Sequence, residues 1–352
     1  MKREGKTSVL VTGASGVVGS ALLDELDDIS VTCLIHHTPT GRDDVHHITG
    51  DITRPRLGLS RPEYARLAGS TDVVVHAAAM TDFTAGDRVT TNLNVRGTAH
   101  VLEFAKCAGA SVYYVSTAFV DRASQVRSGD DSCGGPRAYL YSKRTAEQLV
   151  HDSGLPVAVI RPSVVVGDSR SGKIAGFQGL HAIAGAIVKG SLPLIPLAPD
   201  SLVDFVPQDF VAGAIAELIR SGECEGEYWL TAGSRALCAT QMVDACFEIA
   251  EELGHEAVPP RFIGPDAVDR LIRPVFIEPL PEQARRRFDQ MLNMTALFSA
   301  DRAFESSAPE LEQRFDLGLP DLRDVFLSSL RYWASCKGLV DPAVPDALPL
   351  AA

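Results

Sequence analysis

The chain is 352 residues long, 45% hydrophobic and 22% charged, which suits one large or two modest globular domains and excludes a disordered or fibrous polypeptide. Its 45 acidic side chains against 33 Lys and Arg leave a net charge of −12, so phosphate backbones are repelled and no nucleic acid is expected as a partner. Seven scattered cysteines with no C-x-x-C pair argue against a disulfide framework and a zinc ribbon, and suit a reducing, cytoplasmic setting.

In chain order, Ser8–Thr12 predicts the first strand. Val17–Leu26 predicts the first helix, with Val18, Leu22, Leu23 and Leu26 at helical spacing. Ser30–Ile35, Val45–Thr49, Asp72–His76, Ser111–Ser116 and Val157–Arg161 repeat the strand signature, with helix-length segments at Asp87–Ala108 and Arg137–Asp152 between them. This alternation predicts an α/β fold, a Rossmann-type doubly wound parallel sheet spanning 1–165. After Arg161-Pro162 the texture changes. Gly167–Gly179 reads as a loop, and Pro193, Pro196 and Pro199 exclude a helix around them. A helix at Asp209–Arg220 and a strand at Glu227–Thr231 predict that 203–232 returns to the sheet. Residues 166–202 and 233–341 are then expected to form a smaller, mostly helical substrate lobe, with helices at Gln241–Leu253, Pro281–Leu292 and Leu319–Cys336. Residues 342–352 read as a flexible tail. No signal peptide and no membrane-length apolar run is read.

Directly after the first strand comes Thr12-Gly13-Ala14-Ser15-Gly16-Val17-Val18-Gly19. In this context Gly13 permits a tight turn, Gly16 lets the backbone approach a diphosphate, and Gly19 allows close packing of helix on strand. The helix N-terminus then offers free amides to phosphate. An NAD-binding chain usually ends its second strand on a carboxylate. Here the strand runs Cys33-Leu34-Ile35-His36-His37-Thr38, with no carboxylate until Asp43. That removes repulsion against a 2′-phosphate, which His36, His37 or Arg42 is placed to face, and predicts NADPH over NADH. For His37, a place on a solvated loop is the simpler expectation.

Tyr139 and Lys143 are four residues apart at the start of a predicted helix, so phenol and ammonium share one face. A nearby ammonium is expected to lower the phenol pKa towards a usable general acid. Ser116-Thr117 ends a strand at the carboxyl edge, where open α/β sheets bind ligands.

Taken in order, Thr12-Gly13-x-x-Gly16-x-x-Gly19, His76-Ala77-Ala78-Ala79, Asn94-Val95-x-Gly97-Thr98, Val115-Ser116-Thr117, Tyr139-x-x-x-Lys143 and Arg161-Pro162-Ser163 resemble the extended short-chain dehydrogenase/reductase family, over roughly Ser8 to Thr231. The resemblance implies Tyr139 as catalytic acid/base, Lys143 tuning it and binding the nicotinamide ribose, and Thr117 rather than Ser116 holding the substrate oxygen. It implies a cofactor site of Gly13, Ser15, Gly16, Val17, Gly19, Asp51 and Ile52 (the last two against the adenine), Ala77, Ala78, Ala79, Asn94, Lys143, Pro162 and Ser163, which His36 joins.

Three further segments resemble the thioester reductases of carboxylic acid reductases and nonribosomal synthetases, and in part the fatty acyl reductases. They are Gly50-Asp51-Ile52-Thr53, Gly167–Gly172 and Val203–Asp209. This implies reduction of an acyl thioester, on coenzyme A or a carrier protein arriving in trans, to an aldehyde or alcohol. His36 departs from that branch, which more often carries Arg there. Arg285-Arg286-Arg287 is a candidate carrier-protein contact, although a short charge run is usually a solvated helix face. Alternatives are a ketoreductase, imine reductase, or nucleotide-sugar epimerase or dehydratase on the same scaffold, and a non-catalytic cofactor sensor. Asn94 reads as orienting a water or the Lys143 region, or as a backbone cap. Met80 borders the substrate or packs in the core, and His76 reads as a satisfied structural histidine. No cluster has metal-ligand spacing, so no metal is expected.

Overall fold

β-Branched residues fill the strands, and their side chains alternate between two apolar faces, so the chain builds a sheet that must be covered on both sides. The computed structural model describes residues 6–82, 85–125, 136–264, 267–282, 285, 292, 295, 297–298 and 302–339. Its strands are β1 (Ser8–Thr12), β2 (Ser30–Ile35), β3 (His46–Thr49), β4 (Val73–His76), β5 (Ser111–Val115), β6 (Val157–Pro162) and β7 (Val164–Val166). They continue as β8 (Leu194–Ile195), β9 (Leu202–Val203), β10 (Phe205–Pro207), β11 (Gly226–Leu230), β12 (Leu237–Cys238) and β13 (Arg261–Phe262). The helices are α1 (Val17–Glu25), α2 (Arg61–Ala68), α3 (Asp87–Thr90), α4 (Gly97–Ala108), α5 (Pro136–His151), α6 (Gly179–Val188) and α7 (Gln208–Ser221). After them come α8 (Ala239–Glu252), α9 (Ala308–Phe315) and α10 (Leu322–Cys336).

Seven strands form one parallel sheet in the order β11-β6-β5-β4-β1-β2-β3. Val9 and Val11 join a core with Leu22, Val75 and Tyr113, whereas Leu10 joins the opposite core with Val74, Val112 and Phe104. Period-two alternation thus sends neighbours of one strand to different layers. The first core continues into the C-terminal lobe, where α6, α8 and α10 pack on one another. A Cβ on Gly185 of α6 would lie 2.2 Å from the Trp333 ring of α10, so glycine there lets the two helices close. Short pairs, β7 with β10, β8 with β13 and β9 with β12, connect the lobe elements.

The α/β reading, with its parallel sheet and smaller helical lobe, is met. Two local expectations are not. The single helix expected over Asp87–Ala108 is interrupted by a π-helical segment, Thr91–Arg96, a feature that often marks functional positions. Helices α2, α6 and α9 form where none was read. Most of Pro281–Leu292, Arg286 and Arg287, and the tail 342–352 lie outside the described residues. Among the described residues no helix is long and apolar enough to cross a membrane.

Candidate active site

β1 pairs with β4 so that Thr12 lies beside His76, which brings the Gly13 turn against the chain leaving β4. Gly13 has φ +76°, and a Cβ on it would lie 2.5 Å from the Ala78 amide nitrogen. A Cβ on Gly19 would come 2.1 Å from the Gly13 carbonyl oxygen. Both glycines are therefore demanded by the protein's own backbone. Gly16 is different, because its Cβ would meet only the Gly13 oxygen, at 3.2 Å. Its glycine leaves open the space in front of α1, whose first-turn amides have no intrahelical acceptor. That cradle fits a dinucleotide diphosphate.

The turn opens on a cavity of about 600 Å³, which Gly13, Gly16, Val17, Gly19, Ala77, Ala79, Thr117, Tyr139, Lys143, Pro162 and Ser163 all line. It also takes in Ser116, whose buried hydroxyl has no hydrogen-bond partner. An unpaired buried hydroxyl here fits a polar group arriving with the cofactor. Ser15, Ala78, Asn94, His36, Asp51 and Ile52 do not line this cavity.

Burial pushes the Tyr139 phenol above its ordinary range, and a hydrogen bond with Thr117 pulls the other way. Lys143, 3% exposed, donates from Nζ to the Val115 carbonyl at 2.8 Å. Burial lowers its pKa to about 8, with Glu147 opposing the shift. The expected direction for the phenol is corrected accordingly. The ammonium points at the β5 carbonyl, and desolvation of the buried ring dominates. Tyr139 is therefore held protonated.

Behind the cavity runs a chain of hydrogen bonds. Thr98 Oγ1 donates to the Asn94 carbonyl at 2.6 Å, so it accepts from His76 Nε2 at 3.0 Å. His76 Nδ1 then accepts from Thr12 Oγ1 at 2.7 Å. Burial and the Lys143 charge lower the imidazole to about 3, so His76 is a neutral strut and not a base. Asn94, outside the cavity lining, has its side chain engaged on the protein. Its Oδ1 accepts from the Met80 amide at 2.7 Å, and its Nδ2 donates to the Met80 carbonyl at 3.1 Å and to Ser142 Oγ at 2.9 Å. Ser142 donates in turn to the Tyr139 carbonyl at 2.7 Å. The amide is consumed in tying the loop after β4 to the helix of Tyr139 and Lys143.

At the far end of the sheet, His36 Nε2 lies 3.7 Å from Asp51 Oδ2, and Arg54 Nε lies 3.2 Å from the same oxygen. Asp51 Oδ1 accepts from the Thr53 amide and hydroxyl at 2.8 and 2.6 Å. Burial pushes Asp51 up, but these hydrogen bonds with the His36 and Arg54 charges leave it below its ordinary value. Ile52 is buried, its carbonyl 2.8 Å from His100 Nδ1. Arg42 is not available to a phosphate, because it binds Asp44 through Nε at 2.7 Å and Nη2 at 2.6 Å, and Asp24 through Nη1. Arg54 went unread, since no local motif marks an arginine three residues after Asp51.

Several cavity walls also went unread. They include Phe119 after Thr117, Phe177, Leu180 and Ile183 around the start of α6, and Leu297 and Phe298 from the lobe. The spacing of Leu180 and Ile183 is helical and was the available signal. Lys143 is the one cation among the described lining residues.

A profile of the family described as male sterility protein, an NAD-binding family, matches residues 31–215. Glycine betaine reductase ATRR of Emericella nidulans is 30% identical over 251 residues, covering 60% of this chain and 20% of that protein. Fatty acyl-CoA reductase 1 of Homo sapiens is 27% identical over 274 residues, covering 59% of this chain and 53% of that protein. The chain thus spans between a fifth and about half of these relatives. Among solved structures, the terminal R domain from the myxalamid PKS-NRPS biosynthetic pathway superposes with a TM-score of 0.71 at 22% identity, covering 96% of this chain and 93% of that one. At that identity the likeness establishes the fold.

Proposed function

The chain belongs to the NAD-binding male sterility protein family, and from that premise we propose that it is an NADPH-dependent reductase of acyl thioesters, carried on coenzyme A or on a carrier protein supplied in trans. The observation that carries this reading is the meeting of Thr117, Tyr139 and Lys143 in a cavity that joins the Gly13–Gly19 turn to apolar walls. Relatives named as reductases of glycine betaine and fatty acyl-CoA support the reaction class.

When bound, the dinucleotide supplies a hydride. The Gly13–Gly19 turn and the amides opening α1 would hold its diphosphate, with Ala77, Ala79, Pro162 and Ser163 along the remaining path. Thr117 and Tyr139 donate hydrogen bonds to the thioester carbonyl oxygen, where negative charge develops. Tyr139, kept protonated by burial, passes its proton to that oxygen and yields a hemithioacetal. Lys143 is charged below about pH 8, is held in place by the Val115 carbonyl, and would bind the nicotinamide ribose. Breaking the C–S bond releases thiol and aldehyde, and a second reduction gives the alcohol.

Specificity for NADPH is supported at the end of β2, where His36 stands in place of a carboxylate and the Arg54 guanidinium lies beside Asp51. The apolar walls weigh against nucleotide sugars, whose polar sugar and diphosphate would meet Lys143 as the one cation among the described lining residues. The test is NADPH oxidation against acyl-CoA, acyl-pantetheine, ketones, aldehydes and nucleotide sugars, with product identification. Aldehyde or alcohol from the thioesters upholds the reading; turnover of nucleotide sugars alone overturns it.

A further inference from the structure

Five residues past Thr117, Arg122 lies on the short helical segment Ala118–Gln125 and is only 3% exposed. Burial works against its charge, with Asp204 and Asp121 favouring it and Arg302 opposing it. Among the described residues no carboxylate lies at ion-pair distance from the guanidinium, which reaches across to the lobe. Its Nη1 donates to the Leu297 carbonyl at 2.5 Å and its Nη2 to the Arg302 carbonyl at 3.0 Å. It also lies 3.7 Å over the Phe304 ring. Phe304 and Phe298 both meet Phe119 edge-on, with ring centroids 5.2 and 5.6 Å away. At the surface, Arg302 Nη2 donates to Asp121 at 2.7 Å and pins the same stretch a second time.

Two cavity-wall residues, Leu297 and Phe298, sit in that stretch and face the space shared by Thr117 and Tyr139. Apolar packing would close such a turn with less desolvation than a buried cation requires. A planar fork, however, fixes two carbonyls relative to each other, which neither an apolar side chain nor a lysine does. We propose that Arg122 is a positioning residue for substrate selection: it sets the Leu297–Phe298 wall against Thr117 and so determines which acyl groups reach the catalytic hydroxyls. This rests on the thioester-reductase reading above. Arg122 touches neither the reacting carbonyl nor the dinucleotide cradle, so its effect falls on substrate binding.

The test measures kcat and KM for octanoyl-pantetheine, and the NADPH dissociation constant by fluorescence, in wild type, Arg122→Lys, Arg122→Gln, Phe298→Ala and the Arg122→Gln/Phe298→Ala double variant. Arg122→Gln raises KM about ten-fold, while kcat and NADPH affinity stay within about two-fold. Arg122→Lys retains the charge, loses the fork, and raises KM by less. The double variant is no worse than its more severe parent, because both changes act through one wall. Unchanged KM in both Arg122 variants, additive losses in the double variant, or a parallel weakening of NADPH binding overturns the proposal. Should Arg122→Gln fail to fold, Arg122→Lys and Phe298→Ala carry the same comparison. A wild-type protein inert on thioesters but active on another carbonyl compound overturns the thioester reading instead, and the Arg122 series is then read with that compound.

Discussion

The Gly13–Gly19 turn and the Leu297–Phe298 wall border the same cavity yet are built in opposite ways. In the turn, Gly16 and Gly19 meet only backbone of the same seven residues and Gly13 meets the backbone leaving β4, so glycine is required where a methyl group would strike a carbonyl or an amide. The wall depends on side chains reaching far along the sequence, such as Arg122 to Leu297 across 175 positions. His181 of α6 likewise binds Ser329 of α10 at 2.8 Å, 148 positions away. A cofactor common to many proteins is matched by a locally encoded cradle. The substrate side is assembled from distant parts, which lets its shape vary without disturbing the cradle.

The largest expected effect lies where the two regions meet. Tyr139→Phe removes the acid and lowers kcat about a hundred-fold or more, while NADPH titration shows affinity within about two-fold. Comparable losses in both would place Tyr139 in the cradle. Next come the glycines. Gly19→Ala forces a methyl group to 2.1 Å from the Gly13 oxygen and lowers unfolding stability by about 1–3 kcal/mol. Gly16→Ala meets nothing nearer than 3.2 Å, so denaturant melts stay close to wild type and NADPH affinity drops about ten-fold. Equal melts for the two variants would contradict the division between packing and ligand glycines. In the lobe, Gly172→Ala sets a methyl group 2.1 Å from the Ser328 carbonyl oxygen, and is expected to destabilise the protein without weakening NADPH binding.

A pH series probes both regions together. Burial lowers His76 to about 3 and His181 to about 4, from an ordinary 6.5. The unfolded chain therefore takes up protons first as pH falls. The stability these neutral imidazoles contribute is fully present above about pH 6.5 and lost as pH drops towards 4. Denaturant midpoints that stay flat from pH 7 to pH 4 would contradict their burial as neutral groups. The smallest effect is expected at the solvent-exposed end of β2. His36→Asp shifts the NADPH to NADH ratio of kcat/KM by about ten-fold towards NADH, and an unchanged ratio would remove His36 from the cofactor site.

The same contrast explains what the sequence made legible. The central sheet strands were readable because they are short apolar runs bounded by turns, and the glycine turn because its spacing sits between a strand and a helix. Thr117, Tyr139 and Lys143 were readable as residue types at the ends of those elements. The phenol pKa was not, since its sign depends on how deeply α5 buries the ring and where the Lys143 ammonium points. Helix α6 escaped because Gly179 and Gly185 look like loop residues, whereas Gly185 is small to admit Trp333. The π-helical turn at Thr91–Arg96 spans only six residues, too few for its wider spacing to stand out from the α-helical pattern on either side. Arg122 escaped because nothing around it in the sequence points to residues 297–304.

The most direct test of the account is incubation of the purified chain with NADPH and octanoyl-pantetheine, following absorbance and identifying the product, beside Tyr139→Phe. Wild type is expected to give octanal or octanol with release of pantetheine thiol, and the variant neither, while still binding NADPH. Consumption of NADPH without thiol release, or equal product from both proteins, would contradict it.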